Sequence, residues 1–187
     1  MPRQFFYFER PSRFVAGTVG LPGGRTFFLQ ATDGSRVVSV SLEKQQVAVL
    51  ADRLEQLLDE VVARTGTALP ASDSDSAALE QPIDEEFRVS AMGLKWDGED
   101  GLVVIEAQAP AEDAEIAEQT LLEDVEEGPD ALRVRIEPTR ARAFVERARR
   151  VIAAGRPPCP LCGLPLDPAG HICPRQNGYH RNPIPEQ

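Results

Sequence analysis

Short apolar-rich runs over residues 14–21, 25–32 and 36–42 read as strands, in which side chains repeat with a period of two, and Thr32-Asp33-Gly34-Ser35 supplies a tight hairpin turn between the last two. From about 44 to 64 the period lengthens to three and four, so that Val47, Leu50, Leu54, Leu57, Leu58 and Val61 share one face of a helix. The same succession then returns. Residues 87–94 read as a strand, Trp96-Asp97-Gly98-Glu99-Asp100-Gly101 as a turn, and 102–109 and 132–136 as two further strands. A helix follows from about 139 to 154, with Phe144, Ala148, Val151 and Ile152 facing inward. These patterns predict an α+β fold built from a duplicated strand-strand-strand-helix unit, its antiparallel strands joined by short turns and its helices covering one side.

The two blocks overlay residue on residue at several points. Gly20-Leu21 falls on Gly93-Leu94, Leu42-Glu43 on Ile136-Glu137, Leu50 on Phe144, Arg53 on Arg147, and Leu57-Leu58 on Val151-Ile152. An internal duplication explains this, and so do two similar segments shaped by the same patterning demands. The expected organisation is a duplicated body over residues 1–154 and a small tail over 155–187. Within the body, copy one takes residues 5–66, an acidic linker 67–85, and copy two 86–154 with an acidic insertion at 110–130.

Charge divides the chain more sharply than its net value of −10 suggests. Residues 67–130 hold nineteen Asp and Glu against Arg88 and Lys95, whereas 131–187 hold ten arginines against four acids. The insertion alone carries nine acids and no base, which predicts an extended, dispensable arm able to fold back over the arginines and mask them from polyanions. Ile116, Leu121, Leu122 and Val125 nevertheless offer an apolar stripe by which that arm could dock. Pro70-Ala71-Ser72-Asp73-Ser74-Asp75-Ser76 reads as a mobile linker.

The strongest chemical signal lies near the end of the chain. In Cys159-Pro160-Leu161-Cys162-Gly163 the glycine lets the backbone curl so that both sulfurs reach one ion, and His171 and Cys173 lie two residues apart, on one face of an extended segment. Together they form a Cys3His set for tetrahedral zinc in a zinc-ribbon-like tail, with a redox dithiol as the plainer alternative. Four protein ligands make a closed, structural site. All three cysteines belong to this cluster, as expected where thiols bind metal rather than pair. No signal-peptide core follows Met1-Pro2-Arg3-Gln4, and no apolar run approaches the roughly eighteen residues of a membrane span, so a cytoplasmic protein is expected.

The segments 14–20, 25–31 and 42–51, with the tail from Cys159 to Tyr179, resemble an actinobacterial family catalogued as a domain of unknown function, number 3090, and the resemblance spans essentially the whole chain. It implies an actinobacterial, cytoplasmic protein with no assigned activity, encoded near phosphatase-like and lipid-kinase-like proteins.

Catalytic patterns are missing from the sequence. There is no Gly-x-Ser-x-Gly elbow, Walker loop or dinucleotide fingerprint, and the glycines from Gly17 to Gly24 lie between two strands, where they read as a turn. With His171 assigned to metal, His180 alone remains for imidazole chemistry; it sits in Asn177-Gly178-Tyr179-His180-Arg181, a second place where an anion could be met. Lys44-Gln45-Gln46 opens a helix and reads as ordinary helix-entry chemistry. The leading functional expectation is a non-enzymatic, zinc-binding interaction or regulatory protein with a protein partner. The alternative is nucleic-acid or phosphate binding through an arginine surface, with Arg140, Arg147, Arg150, Arg175 and Arg181 as the candidate anion contacts. An enzyme acting on a phosphorylated substrate comes third.

Overall fold

A computed structural model describes residues 3–66, 68, 75–155, 158–164, 166, 171 and 173–175. The described elements are β1 (Phe5–Glu9), β2 (Arg13–Val19), β3 (Thr26–Asp33), β4 (Arg36–Leu42), α1 (Lys44–Thr65), β5 (Glu85–Arg88), β6 (Ala91–Asp97), β7 (Leu102–Gln108), α2 (Ala114–Thr120), β8 (Ala131–Ile136) and α3 (Pro138–Ala153). They form two four-stranded sheets, in the orders β1-β8-β7-β6 and β2-β3-β4-β5. Each contains an antiparallel three-strand meander, β6-β7-β8 or β2-β3-β4. Each also carries a fourth strand laid parallel to the last strand of its meander, β1 beside β8 and β5 beside β4. The expected purely antiparallel arrangement is thereby corrected to two mixed sheets.

The parallel strands exchange the two halves of the chain. β1 precedes the first meander yet pairs with the second, and β5 precedes the second yet pairs with the first. The crossing after β5 is abrupt: Val89 donates its amide to Ser41 O in one sheet, and Ser90 donates to Gln108 O in the other. The expected single strand over 87–94 is therefore two strands in different sheets. Its side chains carry the reason. Phe87 and Val89 face the core on odd positions, while Met92, Leu94 and Trp96 pack against the same core on even positions, and an unbroken strand would put these two sets on opposite faces.

One buried cluster draws on both sheets and both long helices. Ala16, Leu29 and Val40 enter it from one sheet, Ile105, Leu132 and Val134 from the other, Leu50 and Leu54 from α1, and Phe144 and Ala148 from α3. Helices α1 and α3 pack on each other, and α3 also packs on β2, where Phe144 stacks on Phe14 with ring centroids 5.0 Å apart. Full burial of a side chain such as Leu54 stabilises the fold by about 2 kcal/mol. α1 begins with a reciprocal box in which Gln46 accepts from the Glu43 amide, and it ends at Gly66 in the left-handed conformation (φ 66°). α3 starts at Pro138, whose fixed φ suits the first turn, and of its expected inward residues Val151 and Ile152 are only half-buried.

The ladders show which positions of the two meanders correspond. Ala16, Leu29 and Val40 lie side by side across one sheet, and Leu94, Ile105 and Val134 lie side by side across the other. In each case the row sits the same distance before the helix caps Glu43 and Glu137. The overlay of Leu42-Glu43 on Ile136-Glu137 agrees with this registry. That of Gly20-Leu21 on Gly93-Leu94 does not, because Leu94 stands where Ala16 stands. The β2–β3 connection over residues 20–25 is two residues longer than the β6–β7 connection over 98–101, and Gly20 opens that longer turn, which Gly24 N closes by donating to Leu21 O.

The acidic insertion and the described part of the acidic linker, from residue 75, are packed onto the body; residues 69–74 of the expected mobile linker lie outside the described residues. Residues 111–130 include α2 and lie on the outer face of the β1-β8-β7-β6 sheet, where Leu121 and Leu122 approach so closely that a Cβ on Gly93 would come within 2.9 Å of Leu122 Cγ. Beneath them, fully buried Glu106 accepts from Arg133 Nε at 2.6 Å, Arg3 Nη2 at 3.0 Å and Gln108 Nε2 at 2.8 Å. Arg133 also pairs with Asp124 and donates to Glu123 O, which ties the arm to this cluster. The expectation of an extended arm masking the α3 arginines is thus corrected: its Asp124 meets Arg133 on a sheet face, and its Val125 O accepts from Arg3 Nη1. Enough apolar and hydrogen-bonding surface lies under the arm to offset the repulsion among its charges.

The acid of these segments that does meet α3 is Asp75. Arg13 grips its carboxylate from Nε at 2.6 Å and Nη2 at 3.0 Å, and Arg147 Nη1 reaches the same carboxylate at 2.8 Å. The hydrogen bond from Arg13, with the charges of Arg13 and Arg147, holds the Asp75 carboxyl below its ordinary range. A carboxyl depressed on folding contributes stability that is fully present above its unfolded pKa of about 3.9 and is lost as pH falls through the lower folded value. Asp75→Asn should therefore lower the melting temperature at neutral pH and converge with the parent as pH drops below about 4. Parallel melting curves at every pH would contradict the pairing.

Candidate metal centre

The backbone around Cys159 is shaped before any ion is considered. Gly163 adopts a φ of 75°, and its amide donates to Cys159 O at 2.8 Å, while Cys159 N donates to Leu164 O at 2.7 Å. This curl is the one the Cys-Pro-Leu-Cys-Gly spacing predicts, and only a residue tolerant of the left-handed region closes it without strain. It also turns the amides of Cys162 and Leu161 toward the first sulfur, which pulls the Cys159 thiol down to about 6. Burial pushes the Cys162 thiol up. A lowered first thiol beside one held up by burial gives the cluster a thiolate with which to begin taking up a cation near neutral pH.

His171 and Cys173 close the set. The ligating atoms of Cys159, Cys162, His171 and Cys173 all lie within 4.8 Å of one another. Cys159 Sγ and Cys173 Sγ are 3.9 Å apart, and Cys162 Sγ lies 3.1 Å from His171 Nε2. Cys159 and Cys173 are buried, whereas Cys162 and His171 are half-exposed, so the cluster has one sheltered side and one facing solvent. The cysteines are unpaired thiols, not a disulfide. Three sulfurs and an imidazole nitrogen at these separations form a possible metal-binding site.

The candidate anion contacts are spread over three surroundings. Arg147 is buried and spends its donors inside the fold, on Ala16 O at 2.8 Å, on Asp75 and on Ala77 O at 2.8 Å. Arg150 donates to Asp75 O at 2.8 Å and Arg140 to Ser12 O at 2.6 Å. Arg175 lies against the knuckle instead, donating to Leu161 O at 2.9 Å. Arg181 falls outside the described residues, as do Arg156, Tyr179 and His180. The structure adds Arg13, which converges with Arg147 on Asp75 from β2. Nothing in the local pattern of β2 marks that arginine, since only the folding of β2 against α3 gives it a partner. Gln46, at the first turn of α1, reaches Val89 O at 3.2 Å and so serves the crossing between the sheets.

No curated protein and no solved structure matches this chain. Among the described residues, no helix is long and apolar enough to cross a membrane. A match to a family described as a protein of unknown function, number 3090, covers residues 6–173, and so takes in both sheets, both long helices and all four residues of the Cys3His cluster. The chain belongs to that family.

Proposed function

We propose that this is a non-enzymatic zinc-binding interaction or regulatory protein, in which a duplicated α+β body carries a metal-held tail that a partner protein reads. The observation that carries the reading is the convergence of four ligating atoms, supplied by two short segments, within 4.8 Å. The ligand set favours zinc: three thiolates and one imidazole suit a tetrahedral ion with no redox chemistry, and Zn–S bonds of about 2.3 Å imply sulfurs roughly 3.8 Å apart. The 3.9 Å between Cys159 and Cys173 fits that spacing. A closed set leaves no position for a reacting water, which supports a structural ion. Matching ladder rows, matching helix caps and the reciprocal exchange of β1 and β5 support the duplication.

The arginine-surface reading has less to draw on. Arg147 and Arg150 are engaged by the segment at Asp75, and Arg149 pairs with Glu55 and Asp52 of α1. An internal counter-ion already sits where a phosphate would have to bind.

Cys162→Ser tests the zinc reading. The variant should lose metal and the amide signals of the tail, while the body melts within a few degrees of the parent, because that body has its own buried core. Retention of metal by the variant, or collapse of the whole fold on its loss, would overturn the proposal.

A further inference from the structure

The fold contains two equivalent grooves between the start of a long helix and an edge strand, and the chain treats them differently. The first lies between α3 and β2, has a volume of about 490 Å³, and is walled by Ser12, Phe14, Arg140, Phe144 and Arg147, with Asp75 of the chain's own strap seated in it. The second lies between α1 and β6, has a volume of about 510 Å³, and presents Ser90, Met92, Gln46, Leu50 and Arg53 at the matching ladder and helix positions. β2 and β6 are both terminal strands of their sheets. Gln46 and Arg140 even share a task, each donating to a main-chain carbonyl where the chain passes between sheets.

The first groove shows what its guanidinium recognises. Arg147 Nη1 meets Asp75 O at 3.0 Å and Asp75 Oδ1 at 2.8 Å, and Nη2 meets Ala77 O at 2.8 Å. Two carbonyls and one carboxylate of one short segment thus meet one planar donor group, an arrangement that suits the fixed fork of arginine, and Arg13 grips the same carboxylate from β2. In the second groove no such strap is present among the described residues. Arg53 is exposed there, with a long hydrogen bond of 3.4 Å to Gln56 and no ion pair among the described residues. Beneath it the stacked Phe14 and Phe144 are replaced by the slimmer Met92 and Leu50, and Val49 beside them is 48% exposed. The described acidic segments of the chain itself are committed elsewhere, residue 75 onward on the α3–β2 side and 111–130 on the outer face of the other sheet.

We infer that the open groove between α1 and β6 docks an extended acidic segment of a partner protein, whose Asp and adjacent main-chain carbonyls engage Arg53 while an apolar neighbour fills the floor at Leu50, Met92 and Leu94. This mode joins backbone recognition at a strand edge to a charge-assisted anchor. It rests on the reading of the protein as an interaction module, and it is independent of the metal.

The test is an amide-shift titration of the full chain with the synthetic peptide Asp-Ser-Ala-Ala-Leu-Glu-Gln, the sequence of residues 75–81. Shifts are expected at Val49, Arg53, Leu57, Met92 and Leu94. They should fall at least several-fold with the peptide whose Asp is replaced by Asn, and in Arg53→Glu, a variant at an exposed position whose dispersed spectrum verifies its fold. No shift at these residues, or equal shifts with the Asn peptide or in Arg53→Glu, overturns the inference. Shifts confined to the α3–β2 groove do the same. Equal shifts with hexanoate would assign the groove to small amphipathic carboxylates, and shifts on raising protein concentration alone would assign it to a second copy; either outcome also overturns it. Failure here leaves the metal reading intact, since that is decided by Cys162→Ser.

Discussion

Residues 1–67 produced alone are expected to give no cooperative melting transition and a collapsed amide spectrum. This fragment holds β1 to β4 and α1, a complete copy of the unit predicted from sequence but a small one to stand alone. In the fold, however, β1 has its partner in β8, and β4 has its outer partner in β5. Truncation leaves β1 unpaired, opens the outer edge of β4, and strips α3 from Phe14 and from the face of α1. Chains of about sixty residues already bury only about 60% of the surface they expose when unfolded, so losing an interface on this scale should remove the remaining margin. A well-dispersed spectrum and a sharp melt from the fragment would show that the halves are independent domains.

Glu106→Ala should be the most damaging single substitution outside the apolar core. Its carboxylate has no exposure and serves Arg3 and Arg133, whose side chains are 2% and 8% exposed. Breaking a buried ion pair from one side leaves uncompensated charge, with losses of about 3–5 kcal/mol. Arg133 keeps its contact with Asp124, which is largely exposed, so the lower end of that range, about 3 kcal/mol, is expected. For a chain of this size each kcal/mol shifts the melting temperature by about 2–4 °C, giving a fall of about 6–12 °C. Glu106→Gln retains the shape and one acceptor and should fall between the parent and the alanine variant. Calorimetry finding the alanine variant unchanged would show that the cluster contributes little beyond the packing around it.

Most of the local structure was legible because it is local. The helix beginning at Lys44 carries its apolar face, its reciprocal cap at Glu43 and Gln46, and its closing Gly66 within one stretch of chain. The gathering of Cys159, Cys162, His171 and Cys173 was legible for the same reason: a glycine turn with two sulfurs needs no distant partner to be recognised. What stayed hidden depends on pairing between remote segments. The sequence pattern assigns no element to β1, because its partner is the remote β8, and the parity break between Val89 and Met92 marks the change of sheet only once both sides are seen to face one core. The acidic arm misleads through composition, since its nine acids suggest repulsion while Leu121, Leu122, Thr120 and Asp124 secure it to a sheet face. Arg147 looked like a surface cation and is an internal anchor, because the residue that neutralises it lies seventy-two positions away.

Elemental analysis of the full chain, purified under reducing conditions without chelator, tests the central claim most directly. The account predicts one zinc per chain, retained through gel filtration, removed by a strong chelator with release of the tail, and missing from Cys162→Ser. Wild-type protein that is folded, fully reduced and free of zinc would contradict it.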